Sequence, residues 1–313
     1  MRQWMSAALA LCACSHLASA QIFDFTLNAP PSGLSGTAGI DIDTTGTLVG
    51  NWDPTSNPEG TRTKPGLFGT FGATENVPVN VTLGVGATGP INSRASGGFR
   101  LSLEADGGLV NLSNYAVNLL STGPVTLPIN LSLLYDSFRT RNPTSTYIGG
   151  VPLTIPFGEA SLTRLDAEQL IPAQGSLVTT GPGTYDFSII ALVNLTAEFS
   201  FLGNTFAIPA VPTPLLLEGQ LSINGSTAQF LSVQPFAFSN SVEPGVAIPQ
   251  FPLELPTILP PGLIANVLFD LTLDAITASL DTTLTTNATG VLVPAPASLA
   301  LLGFASLLPR RRR

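Results

Sequence analysis

Beyond residue 20 the chain contains no cysteine, histidine or methionine: Cys12, Cys14, His16, Met1 and Met5 are the only residues of these types. Without imidazole or thiolate there can be no Ser-His-Asp triad, no Cys-His pair and no ordinary zinc site. Disulfides are excluded as well, so stability has to come from core burial or bound ions. Basic residues are scarce too, with 12 Lys and Arg against 20 Asp and Glu, and Lys64 is the one lysine. What chemistry remains is a carboxylate pair or a Ser-Lys arrangement, and Lys64, in the loop-like stretch EGTRTKPG, reads as a surface lysine. Glu104/Asp106 and Asp166/Glu168 are spaced two apart, which puts each pair on one face of a strand. A glycosidase needs such a pair, although twenty acids produce this spacing by chance.

The first twenty residues, MRQWMSAALALCACSHLASA, read as a secretory signal peptide. Arg2 forms the basic region, Met5–Ala13 the apolar run, and Ala18-Ser19-Ala20 the small-residue cleavage site before Gln21. The other end, VPAPASLALLGFASLLPRRRR, holds an uncharged run from Ala297 to Leu308 before four consecutive arginines. Twelve residues make about 18 Å of helix against a hydrocarbon core of about 30 Å. A run that short, held at the cytoplasmic face by its arginines, fits a temporary stop in the membrane better than a permanent anchor.

That tail resembles a PEP-CTERM sorting signal of exported Gram-negative proteins. Val293, Pro294 and Pro296 fill its Val-Pro-x-Pro element, with Ala295 where the family has glutamate. Leu299–Gly303 (LALLG) matches the apolar helix, and Arg310, Arg311, Arg312 and Arg313 match the basic end. The resemblance implies recognition by an exosortase-type enzyme, removal of the tail, a transient inner-membrane precursor, and a product at the cell surface or outside the cell, often with exopolysaccharide. It says nothing of the body's own activity. The expected organisation is a signal peptide over residues 1–20, an exported β-rich body over 21–292, and a sorting tail with a short hydrophobic helix over 293–313.

The body alternates with period two. In Tyr185–Phe201 every odd position is apolar, the mark of a strand with one face on a core. Phe99–Glu104 and Val267–Ala275 behave alike, and beyond Ala275 the apolar phase moves by one residue, as at a β-bulge. Leu162–Leu170 is the one stretch that reads as a helix. Ile208–Pro214 and Glu243–Pro261 are rich in proline, which cannot donate to a ladder; both are expected as connections rather than strands, the second, being apolar, as a strap packed along the body. The predicted fold class is all-β, an antiparallel β-sandwich-like body with a Pro-rich strap; a propeller or closed barrel would produce the same pattern.

Charge and aromatics narrow the partners. Removing both ends leaves seven basic and twenty acidic residues, a net charge of −13, which excludes nucleic acid as a partner. A membrane barrel would need aromatic girdles, and the tyrosines and tryptophans are too few. No metal or cofactor is required, although calcium has a candidate site. Asp41 and Asp43 in DIDTTG begin like a calcium loop, but Trp52 stands where the closing acid belongs, and GIDIDTTGTLVGNW reads equally as a hairpin with both aspartates on its wet face. Asp270 and Asp274 form a similar pair. Trp52 is also the best sugar-stacking platform, while Arg139 and Arg141 gather in a loop flanked by Tyr135 and Tyr147. The expected function is a non-catalytic structural or adhesive protein of the cell surface or extracellular matrix. The alternatives are a secreted polysaccharide-binding module and, behind it, a carboxylate-dependent glycosidase.

Overall fold

The computed structural model describes residues 20–201 and 204–294. The signal segment and the expected C-terminal helix lie outside these residues. The first half of the chain forms β1 (Gln21–Leu27), β2 (Gly33–Gly50), β3 (Arg62–Pro65), β4 (Val79–Arg94), β5 (Ser96–Glu104), β6 (Leu109–Asn118), β7 (Val125–Tyr135), β8 (Phe138–Arg141) and β9 (Ser145–Tyr147). The second half forms β10 (Leu153–Gln169), β11 (Ala173–Gly181), β12 (Thr184–Phe201), β13 (Asn204–Asn224), β14 (Thr227–Val242), β15 (Val246–Pro256) and β16 (Ile264–Leu292). The body is all-β and every pairing is antiparallel, as the alternation predicts.

One large sheet carries thirteen of the strands and curls until it meets itself. Strand β1 pairs with β5, β5 with β6, β6 with β11, β11 with β12, β12 with β13, β13 with β14, β14 with β16, and β16 returns to β1. An eight-stranded circuit encloses a space that side chains can just fill, and here aromatic rings fill it. Phe230 is the hub: its centroid lies 4.4 Å from that of Phe187, 4.9 Å from Phe99 and 5.9 Å from Phe25. Gly290 makes room for this packing, since a Cβ there would come within 2.7 Å of the Phe25 ring.

Strand β16 is the spine. Its 29 residues would span about 95 Å if straight, far beyond the closed circuit. Along its remainder it pairs with β2 on one side and with β14 and then β15 on the other, while β4, β7 and β10 continue the sheet from β2. Among the described residues the wall has two free edges at this end: one is the second half of β14 followed by β15, the other the first part of β13, which pairs with β14 only from Gly219 onward. Both edges are studded with proline: Pro209, Pro212 and Pro214 on one, Pro249, Pro252 and Pro256 on the other. An edge that cannot donate hydrogen bonds resists pairing with another chain.

Three sequence expectations are corrected here. Ile208–Pro214 is not a connection but part of edge strand β13; its prolines are tolerated because one side of the strand is unpaired. Leu162–Leu170 is not a helix: it runs in β10 as far as Gln169, and a register shift between Leu162 and Arg164 puts a three-residue step into the apolar spacing. The Gly39–Trp52 hairpin is instead the continuous strand β2 up to Gly50. Gly46 does not turn the chain; it lets neighbouring backbone close in, because a Cβ there would lie 2.1 Å from the Asp270 carbonyl oxygen. The bulge expected near Ala275 appears as a register shift between Leu273 and Ala275. The strap is borne out in part: Val246–Pro256 packs along the body, with Phe251 stacked on Phe269, but as edge strand β15 paired with β16 and not as a connection.

Both ends of the body meet at one pole, where the Val293 N–H donates to the Ile22 carbonyl. At the opposite pole the connections 51–78 and 136–152 build a separate three-stranded sheet in the order β3-β8-β9, which 257–263 joins through a bridge between Thr146 and Leu259. Removing a hub ring inside the closed circuit should be far costlier than removing one at that far pole. Phe230→Ala is expected to lose about 3–5 kcal/mol in denaturant unfolding, whereas Phe68→Ala, at a position 89% exposed, should stay within about 0.5 kcal/mol of the parent.

Candidate functional site

Trp52 opens the loop that follows β2. Its ring is half-buried, its Nε1 donates to the Pro58 carbonyl at 3.2 Å, and the Arg62 guanidinium lies over it at 5.1 Å from the centroid. The loop is held closed by reciprocal backbone bonds between Asp53 and Asn57, and the Asp53 carboxylate accepts the N–H groups of Thr55 and Ser56. Those backbone bonds, Ser56 first, hold its carboxyl below the usual range. Trp52, the only tryptophan beyond residue 20, therefore closes a turn with one ring face occupied.

What the linear sequence separates, the small sheet joins. Arg62 sits opposite Arg141, and Lys64 opposite Arg139, across the β3–β8 ladder. Four cations thus share one face of two paired strands, an arrangement that like-charge repulsion disfavours. The loop that crosses this face engages three of the four. Arg62, only 6% exposed, donates to the carbonyls of Gly72 and Ala73; Lys64 donates to Thr70 and pairs with Glu75 at 2.8 Å; Arg139 donates to Gly66 and Gly69 and lies over the Phe71 ring. Backbone and lysine hydrogen bonds hold the Glu75 carboxyl below its ordinary range. The sequence shows the pieces, a lysine in EGTRTKPG and two arginines in YDSFRTRNPTSTY, but not the register that brings them together. Beneath them Phe138 stacks on Tyr147 at 4.4 Å, with Tyr135 edge-on to both.

Asp41 and Asp43 point to the outer face of β2, beside Thr277 and Ala275 of β16. The second acidic pair is on the neighbouring strand, with Asp270 opposite Thr47 and Asp274 in the bulge. Burial, and then the charge of Asp43, raises the Asp41 carboxyl above its usual range. Among the described residues no three acidic side chains gather into one group. Glu104 and Asp106 lie at the mouth of the closed circuit, in a shallow cavity shared with Gln21, Tyr185 and Ile223. Asp166 and Glu168 do share the outer face of β10, where Arg164 holds Asp166 at 2.6 Å and Glu198 at 3.0 Å. Of the residues expected to form a sorting signal, Val293 and Pro294 close the described chain, while Pro296, Arg310, Arg311, Arg312 and Arg313 lie outside the described residues.

No protein-family model matches the chain, and no curated protein matches it. Two solved structures align loosely. One is the outer membrane protease OmpT from Escherichia coli, at 8% identity over 88% of this chain and 98% of that one, with a TM-score of 0.24. The other is the T2SS secretin XcpQ from Pseudomonas aeruginosa, at 12% identity over 96% of this chain and 65% of that one, with a TM-score of 0.17. Similarity of that order carries no argument about function.

A raised carboxyl gives a signed expectation for Asp41. Its charged form is disfavoured in the fold, so its contribution to stability falls as pH rises through the folded-state pKa. In the presence of chelator, Asp41→Asn should therefore melt higher than the parent at pH 7, and the gain should vanish near pH 3, where both side chains are neutral. A lower melting temperature at pH 7 would contradict this reading.

Proposed function

We propose that the protein is an exported, tail-sorted component of the cell surface or extracellular matrix, structural or adhesive in action and not catalytic. The observation that carries this reading is the way the body ends. Val293 makes the last backbone bond to the sheet, and Pro294 begins the Pro-x-Pro stretch that resembles a processing site. Cutting there removes nothing from the core, because the closed circuit and its aromatic cluster lie wholly upstream. Burial points the same way. Apolar side chains of the strands face inward and polar ones mostly outward, the reverse of a membrane barrel with its apolar outer band. The partners in this reading are an exosortase-type enzyme and exopolysaccharide, with inner-membrane association confined to the precursor.

A second reading, a polysaccharide-binding module, draws on Trp52 beside the basic sheet; retention on polysaccharide lost in Trp52→Ala would favour it. Calcium at Asp41 and Asp43 accompanies either reading. If an ion sits there, millimolar calcium raises the melting temperature of the parent and not of Asp41→Asn.

Intact-mass analysis of the protein recovered outside the cell tests the first reading. The expected species begins near Gln21, ends near Pro294–Pro296 and lacks all four arginines. Recovery of Arg313 on most exported molecules would overturn it.

A further inference from the structure

The pole remote from the chain ends exposes apolar side chains that neither reading uses. Phe68 stands 89% exposed at the tip of the loop Gly66–Gly72, next to exposed Leu67. Ile148 and Val151, the latter 63% exposed, come from the second connection, and Leu259 and Leu263 from the third. Hydrogen bonds bring these segments to one place. The Gly66 N–H donates to the Ser137 carbonyl and the Gly149 N–H to the Ser137 hydroxyl, while the Thr146 N–H donates to the Leu259 carbonyl. The tip is rigidly supported, since Arg62, Lys64 and Arg139 together hold the carbonyls of Gly66, Gly69, Thr70, Gly72 and Ala73 from below.

Charge separates this pole from the remainder. The three connections contain four basic residues (Arg62, Lys64, Arg139, Arg141) and four acidic ones (Asp53, Glu59, Glu75, Asp136), whereas the rest of residues 21–292 has three basic and sixteen acidic. The excess negative charge therefore lies entirely off this end. Apolar tips on rigid loops, with cations set behind them, match the order of a bilayer interface, where acyl chains lie beneath anionic phosphates. A sugar chain would instead stack on ring faces; Trp52 and Phe71 each have one face covered by arginine, and the exposed Leu67, Ile148, Val151, Leu259 and Leu263 offer it no ring at all.

We propose that this pole docks on a phospholipid membrane surface, with Leu67 and Phe68 entering the acyl boundary and Arg139, Arg141 and Lys64 at headgroup depth. The site is at the opposite end of β16 from the tail and does not rest on how the tail is read.

The test uses the full chain carrying Phe68→Trp, mixed with vesicles of phosphatidylcholine alone or with phosphatidylglycerol, some made with brominated acyl chains. The new indole should shift to the blue and be quenched by bromine, more strongly with phosphatidylglycerol, and inorganic phosphate should not compete. In a chain otherwise wild type, the double variant Leu67→Asp, Phe68→Asp should lose roughly tenfold to hundredfold in partitioning, with the melting temperature unchanged because both side chains are exposed. Three results would overturn the proposal: an unquenched indole on protein that still sediments with vesicles, which assigns binding to the tail alone; undiminished partitioning of the double variant; or an indole that responds to an acidic polysaccharide and not to vesicles.

Discussion

The structure depends on one ladder, the pairing of the first strand with the last. Residues Phe23–Leu27 run against Ala288–Leu292, and this contact turns a curled sheet into a closed circuit. Without it Phe23, Phe25 and the ring cluster around Phe230 would face an open seam. With it they become a dry interior, where edge-to-face and stacked rings add to the gain from burial. Because the partners are separated by almost the whole chain, closure must wait for the rest of the sheet, and the large loop-closure entropy is offset only at the end.

Closure also sets the polarity of the molecule. Both chain ends leave from the same pole, so a tail can be attached or removed there without touching the core. The opposite pole is free to be elaborated, and the three longest described connections between strands gather there around the β3-β8-β9 sheet. Between the poles the circuit opens into a wall with two edges, and the prolines of β13 and β15 keep those edges from recruiting other strands. In the proposed reading, sorting at one end and contact at the other would fall to separate parts of a single sheet.

Much of this was legible in the residues. Period-two alternation over Tyr185–Phe201, interrupted at Ile190 and Leu192, located β12, and the slipped phase after Ala275 located the bulge in the spine. The failures have a common origin, in features whose meaning depends on a neighbouring strand. Gly46 looked like a turn because nothing in β2 reveals that Asp270 presses on it. The step between Leu162 and Leu165 looked helical because a bulge imitates helical spacing. The prolines of Ile208–Pro214 looked like a break because an edge cannot be told from a linker without its partner. At the candidate site the aspartates and Trp52 were visible as residue types, but the pairing of Arg62 with Arg141 joins positions 79 apart and leaves no local trace.

The central claim, closure by the terminal strands, is tested most directly by native-state hydrogen exchange. If β1 and the end of β16 complete the circuit, the amides of Phe23–Leu27 and Ala288–Leu292 that face each other should exchange as slowly as those of β12, with the denaturant dependence of global unfolding. Rapid, denaturant-independent exchange in these two segments, with β12 still protected, would show frayed ends on an open sheet and contradict the account.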